Sequence, residues 1–350
     1  MNRPLRVLVV DDSVVFRRVV SDVISADPEL QLAGTAPNGN IALQKVAQLN
    51  PDVITLDLEM PELDGMGVLR RLKATHPHIR VIVFSVHSER GAAQTLEAMA
   101  LGAADFLPKG ADLGSVAANT AYIKDELIAK IKQFKVHVPA PQAVIRPTWR
   151  DSNKRVQRQI VAIGVSTGGP NALATLLPML PKDIPVPIVI VQHMPPMFTR
   201  LLAERLDADS EISVVEAEAG MLLTPGTAYI APGNYHLTVK RMGGQVFTAL
   251  DQRPQENSCR PAVDVLFRSV AEVYGQAALG AILTGMGRDG LLGVQELRRH
   301  KARIIAQDKE SSVVWGMPGV VVEAGLADVV VPIQNVAAEV ERCLSSAIAR

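Results

Sequence analysis

The segment Ile163-Gly164-Val165-Ser166-Thr167-Gly168-Gly169-Pro170 carries the sharpest chemical signal in the chain. An apolar run feeds a glycine-rich turn here, and a helical pattern opens near Pro170. A serine on such a turn is lifted clear of its sheet, and the new helix aims free N–H groups at it. That suits a nucleophile. Gly-x-Ser-x-Gly alone also fits a phosphate-holding turn or a plain strand–helix junction. The segment lacks the Gly-Lys-Ser/Thr ending of a P-loop, and Ser166 occupies the second glycine position of a dinucleotide fingerprint.

A serine nucleophile needs a base, and the second half offers His193, His236 and His300. His193, in Gln192-His193-Met194-Pro195-Pro196, follows the next apolar run. Sequential parallel strands usually neighbour each other, so Ser166 and His193 are expected at one sheet edge. His236 falls in a hairpin pattern, and His300 ends a helical one, where histidine complements the dipole. Asp289, in Leu283-Thr284-Gly285-Met286-Gly287-Arg288-Asp289-Gly290, is the candidate to orient the imidazole. Its plain reading is an N-cap for the helix Leu291–Arg299. The order Ser166, His193, Asp289 differs from the Ser, Asp/Glu, His order of α/β-hydrolases; His300 as base would restore that order.

A second constellation lies in the first half. Asp11 and Asp12 follow one apolar run, and Asp57 and Ser85 end two others. Lys109 follows a fourth. Three carboxylates in one pocket repel one another unless a cation is held there, and oxygen ligands of this kind suit Mg²⁺. Lys109 and Ser85 then face an incoming phosphoryl group, with Asp57 as the nucleophile that forms an aspartyl phosphate. Taken singly, each Asp reads as a helix cap and Lys109 as a solvated loop residue.

The elements that must position these groups follow from periodicity. Five apolar runs, Arg6–Val10, Gln31–Thr35, Val53–Asp57, Val81–Ser85 and Asp105–Leu107, alternate with helical patterns, the last spanning Asp112–Phe134. This (βα)5 order predicts an open parallel sheet covered on both faces, with sites at the carboxyl ends of its strands. Past a linker at 135–159, rich in Pro and Arg, the pattern resumes. Ile160–Val165, Val186–Val191, Ser213–Glu216, Thr227–Ile230, Ala278–Leu283, Arg303–Ala306 and Asp328–Val331 read as strands. Helical patterns at Leu173–Leu180, Phe198–Leu206, Val263–Val273 and Leu291–Arg299 separate most of them. Tyr235–Arg241 and Gln245–Leu250, joined through Met242-Gly243-Gly244, predict a hairpin. The fold class is α/β, with two doubly wound domains at 1–134 and 160–350, the second mostly parallel with an antiparallel hairpin.

Composition excludes several classes. A chain of 350 residues supports two full cores. Its 36 Lys and Arg balance 36 Asp and Glu, which gives no bias toward nucleic acid or a membrane surface. Cys259 and Cys343 are too few for a disulfide framework, and no Cys-based metal site is expected from them. No apolar run reaches membrane-spanning length, and no signal peptide is read, so a cytoplasmic location is expected.

Val-Val-Asp11-Asp12-Ser, Leu56-Asp57-Leu58-Glu59-Met60-Pro61 and Phe106-Leu-Pro108-Lys109 make the first half resemble a response-regulator receiver domain. The resemblance implies phosphorylation of Asp57 by a histidine kinase of the chemotaxis type. It also implies Mg²⁺ held by Asp12, Asp57 and the Glu59 carbonyl, with Ser85 and Phe106 moving together as a switch. The second half resembles the catalytic domain of the chemotaxis protein-glutamate methylesterases. It does so through the serine segment, Gln192-His193-Met194, Ala231-Pro232-Gly233-Asn234-Tyr235-His236 and the Thr284–Gly290 loop. That family implies a Ser166/His193/Asp289 triad hydrolysing glutamyl methyl esters on methylated chemoreceptors, and in many members deamidation of receptor glutamines. No cofactor is implied for the esterase. Oxyanion donors are expected from the Thr167 N–H and an N–H near Met286. Two alternatives remain open: a hydrolase domain acting on another ester or amide, and a non-enzymatic, phospho-switched binding module.

Overall fold

The computed structural model describes residues 3–86, 88–109, 116–135 and 156–345, with no side chain described for 116–119. Most of the expected linker, and the start of the helix expected from Asp112, lie outside the described residues. The chain divides into two compact units, Met1–Val138 and Pro139–Arg350.

The first unit runs β1 (Leu5–Val10), α1 (Val14–Ser25), β2 (Leu30–Ala36), α2 (Gly39–Leu49), β3 (Val53–Asp57) and α3 (Gly65–Thr75). It continues with β4 (Arg80–Ser85), α4 (Glu89–Ala100), β5 (Asp105–Pro108) and α5 (Val116–Lys132). Its parallel sheet has the order β2-β1-β3-β4-β5. Helices on both faces require strands that are apolar on both faces, and every residue of β3 is buried. Polar side chains at the strand ends start the helices. Ser13 accepts from Phe16 N at 3.3 Å, Asn38 from Ile41 N at 3.0 Å, Asp64 from Gly67 N at 2.7 Å and Ser88 from Gly91 N at 3.0 Å.

The second unit runs β6 (Ile160–Val165), α6 (Gly169–Leu176), β7 (Ile188–Gln192), α7 (Phe198–Asp209), β8 (Ser213–Glu216), β9 (Thr227–Ile230), β10 (His236–Met242) and β11 (Gln245–Asp251). It continues with α8 (Val263–Tyr274), β12 (Ala278–Ile282), α9 (Leu291–Arg299), β13 (Arg303–Gln307), α10 (Met317–Glu323), β14 (Val329–Val331) and α11 (Ile333–Ser345). The seven strands of the expected sheet form one, ordered β14-β13-β12-β6-β7-β9-β8 and parallel throughout. From β6 the chain winds one way to β7, and from β12 the other way to β13, so their carboxyl ends flank a crevice.

Beside small shifts at strand ends, three details differ from the sequence expectation. The hairpin β10–β11 forms a sheet of its own, turning on Gly243 and Gly244, both at positive φ, as a two-residue turn between twisted strands requires. Helix α6 starts four residues earlier than its apolar spacing suggests, because Gly168 at φ 77° and Pro170 set its first turn. Helices α10 and α11 lie outside the helical patterns named above. In α11, Val336, Ala337, Val340 and Leu344 form a buried stripe.

Candidate active site

The catalytic candidates of the second unit converge at the carboxyl ends of β6, β7 and β12. Val165 pairs with Gln192, so Ser166 and His193 are the next residues along neighbouring strands. Backbone bonds hold Ser166 in place: its N–H donates to Thr284 O at 3.0 Å, and its carbonyl accepts from Gly169 N at 2.8 Å. Gln192 Nε2 donates to that carbonyl as well, at 3.0 Å. The buried Thr284 secures the facing loop, donating to Thr167 O at 2.9 Å and accepting from Val314 N at 3.1 Å. Among the described residues the Ser166 hydroxyl makes no hydrogen bond.

The approach of the two loops depends on glycine. A Cβ on Gly285 would sit 2.8 Å from Ser166 Cβ, and one on Gly169 would overlap Gln192 Oε1 at 1.8 Å. Met286 follows Gly285 directly, and its N–H has no acceptor among the described residues. Thr167, the other expected oxyanion donor, is buried beside Ser166.

Asp289 and His193 are paired. His193 Nε2 lies 2.8 Å from Asp289 Oδ2, and Asp289 is 3% exposed. A carboxylate only accepts, so this bond assigns the ring proton to Nε2 and leaves Nδ1 as the basic nitrogen. Asp289 also accepts from Val263 N (2.7 Å), Asp264 N (3.1 Å), Gly290 N (3.0 Å) and Asn257 Nδ2 (2.9 Å). Val263 and Asp264 open α8, so the carboxylate caps that helix from across the fold. The expected cap of α9 is not made: its N-cap is Gly290, at φ 92° and without a side-chain bond. Burial opposes ionisation of Asp289, but the His193 bond and these amides outweigh it and hold the carboxyl below its ordinary range.

His193 is 13% exposed on its side chain. Burial pulls its pKa down, yet the Cys259 sulfur beside Nδ1 and the Asp289 carboxylate on Nε2 pull harder, and the ring titrates above its ordinary 6.5. Cys259 Sγ lies 3.6 Å from Nδ1. Spacing gave no sign of this neighbour, since 66 residues separate the pair. Asn257 and Asp264 were likewise silent in the sequence; Asn257 Nδ2 bridges the Asp264 and Asp289 carboxylates at 2.9 Å each. The other two histidines are engaged elsewhere. His236 is buried, receiving Ala262 N on Nδ1 at 3.3 Å, and His300 pairs with Glu296 at 3.3 Å.

The first unit gathers its own constellation around the ends of β1 and β3. Asp11, Asp12 and Asp57 each place a carboxylate oxygen within 4.8 Å of the others. Lys109 Nζ lies 2.5 Å from Asp57 Oδ2 and 2.9 Å from Asp11 Oδ2. Burial raises the Asp57 pKa, against the opposing pull of Lys109. Burial lowers that of Lys109, but the two carboxylates more than reverse this. Ser85 is buried and accepts from Thr95 Oγ1 at 2.7 Å, and Phe106 is buried on the adjacent strand. Glu59 is exposed, and its N–H donates to Asp57 Oδ1 at 3.3 Å. No described helix is long and apolar enough to cross a membrane.

Known proteins with the same arrangement are numerous. Residues 161–340 match the CheB methylesterase family, and residues 7–120 match the response regulator receiver domain. A protein-glutamate methylesterase/protein-glutamine glutaminase of Trichodesmium erythraeum is 48% identical over 345 residues, covering 96% of this chain and 98% of the relative. A protein of the same name from Thermotoga maritima is 44% identical over 334 residues, covering 95% of this chain and 96% of its own. The crystal structure of the Thermotoga maritima CheB methylesterase catalytic domain superimposes with a TM-score of 0.52 at 47% identity, over 54% of this chain and 99% of that one. With both halves matched in the same order along full-length relatives, the chain belongs to the protein-glutamate methylesterase/protein-glutamine glutaminase family, with a receiver domain ahead of its esterase domain.

Proposed function

We propose that this chain hydrolyses glutamyl methyl esters on methylated chemoreceptors, and deamidates receptor glutamines, with Ser166 as nucleophile. The observation that carries this reading is the Asp289–His193 pair, set on the strand end next to Ser166 with Nδ1, its basic nitrogen, bordered by the Cys259 sulfur. His193 Nδ1 takes the Ser166 proton as Oγ attacks the ester carbonyl. The tetrahedral oxyanion is met by the N–H groups of Thr167 and Met286, and the second of these follows Gly285, which packs on Ser166, and has no acceptor among the described residues. His193 then returns the proton to the leaving methoxide, methanol departs, and water clears the acyl-enzyme by the same route. Asp289, held ionised, stabilises the imidazolium at each proton transfer.

The receiver domain governs this activity through Asp57. Its donor set fits a hard divalent cation: three clustered carboxylates, two of them already drawn to the Lys109 ammonium. Asp12, Asp57 and the Glu59 carbonyl would hold Mg²⁺, which when bound neutralises phosphoryl oxygens. Asp57 attacks the phosphorus of a phosphohistidine on a chemotaxis-type histidine kinase, the P–N bond breaks and the kinase imidazole leaves, and Lys109 follows the transferred charge. Ser85 then exchanges Thr95 for the phosphoryl oxygen, with Phe106 moving alongside. The protein works at the cytoplasmic side of the membrane, on receptor segments exposed there, and needs no nucleic acid.

The test is methanol release from methylated receptor membranes. Purified chain should release it, and a small acyl phosphate with Mg²⁺ should raise the rate. Asp57→Asn should keep the resting rate and lose the response. Absence of methanol under both conditions would assign the hydrolase another substrate.

The pH profile follows from the base. His193 must be neutral to accept a proton, and its pKa is raised. Activity is therefore low where the ring is protonated and gained as pH rises through the elevated value. Log kcat/KM should still be climbing above pH 6.5, the ordinary histidine value. A flat profile from about 5 to 8 would rule out a histidine base.

A further inference from the structure

We propose that Cys259 and His193 form a binding site for a soft divalent cation, Zn²⁺ in the first place, whose occupation switches the esterase off. Cys259 Sγ and His193 Nδ1 are 3.6 Å apart. Tetrahedral zinc with a sulfur at about 2.3 Å and a nitrogen at about 2.0–2.1 Å separates the two by about 3.5–3.6 Å, so the pair already has the required span. Asp289, on Nε2 at 2.8 Å, occupies the position of the carboxylate that orients a metal-bound histidine and strengthens its donor nitrogen. His193, Cys259 and Asp289 together place one ligand atom each within 4.8 Å. A thiolate and an imidazole select zinc over the hard Mg²⁺ that suits the carboxylates of the receiver domain.

The sulfur is held there by design of its turn. Glu256 and Cys259 exchange backbone bonds at 3.1 and 2.9 Å, and between them Asn257 and Ser258 both stand at positive φ, 52° and 62°. Arg268 clamps Glu256 at the base of the turn. Asn257, in the same turn, donates to Asp289. One rigid hairpin therefore fixes the carboxylate on one ring nitrogen and the thiol on the other. Binding exchanges the Cys259 S–H proton for the metal, releases it to solvent, and puts the Nδ1 lone pair on the cation. Water completes the coordination. No bond to carbon changes and no electron is transferred. The inhibition rests on His193 being the base, as proposed above; the binding does not.

The test uses the full chain with Mg²⁺ in excess, titrated with CoCl₂ and separately with ZnCl₂. Co²⁺ should give a thiolate-to-metal charge-transfer band that Zn²⁺ displaces. Cys259→Ser should abolish the band, and Cys343→Ser should keep it. Zn²⁺ should inhibit methanol release, and a chelator should restore it. For Cys259→Ser the zinc concentration giving half-inhibition, relative to its own uninhibited rate, should rise about tenfold or more. No charge-transfer band, or equal zinc sensitivity in Cys259→Ser, overturns the site. A band with undiminished esterase activity leaves the metal site standing and removes His193 from the role of base.

Discussion

Ser166→Ala should lower kcat for methanol release by about 10⁴-fold or more, while the melting temperature stays unchanged. The two halves of that expectation come from different atoms of one residue. The structural bonds of Ser166 are all made by its backbone: the N–H to Thr284, and the carbonyl to Gly169 and Gln192. Alanine keeps every one of them. The hydroxyl makes no bond to any described residue, so deleting it leaves no partner unsatisfied, and the stability change should stay within about 0.5 kcal/mol. Chemically the hydroxyl is the reacting atom, and members of a triad fail as a unit. Stopped assays with a chromogenic ester, run beside calorimetric melting, separate the two effects. Turnover near the wild-type rate would remove Ser166 from the nucleophile role. A large fall in melting temperature would make it a structural residue instead.

The contrast between backbone and side chain also explains what could be read in the sequence. Strand β6 was legible because a buried parallel strand is apolar on both faces, and Ile160–Val165 has no polar interruption. Ser166 and His193 were legible together because neighbouring parallel strands end at one edge of a sheet. The hairpin was legible from Gly243-Gly244, since a two-residue turn with both central φ values positive favours such a pair. Strand β7 begins later than its apolar run because Pro187 precedes Ile188 and brings no N–H to the ladder. What could not be read is what depends on distant closure. In the sequence Asp289 reads as the residue that orients His193, with a cap for the helix after it as the plain alternative, because local spacing knows only the next helix. The fold instead brings in the first turn of α8, which lies before it in the chain. Cys259 and Asn257 belong to the site through a turn whose place beside β7 and β12 no periodicity encodes.

That cross-fold cap is why Asp289→Asn should be nearly as damaging as loss of the nucleophile, with kcat falling by about 10⁴-fold. Both oxygens of Asp289 already receive backbone N–H groups, so an amide cannot enter without meeting a donor. With its NH₂ in place of Oδ1, it would face Asp264 N, Gly290 N and Asn257 Nδ2 together. With its NH₂ in place of Oδ2, it faces Val263 N alone, and there it also meets His193 Nε2. The second placement leaves fewer donors unsatisfied and is the one expected. An NH₂ can only donate, so it drives the imidazole to the tautomer with its proton on Nδ1. The base is then presented to Ser166 already protonated. The same substitution removes one of the two groups that hold the His193 pKa up, the Cys259 sulfur being the other, so the remaining activity should climb at lower pH than in the parent. It also weakens the start of α8, so some stability should be lost as well. The decisive measurement is kcat and its pH profile together with the melting temperature. If stability falls while the rate stays within tenfold of wild type, Asp289 is a helix cap that happens to touch a histidine, and the triad is wrong.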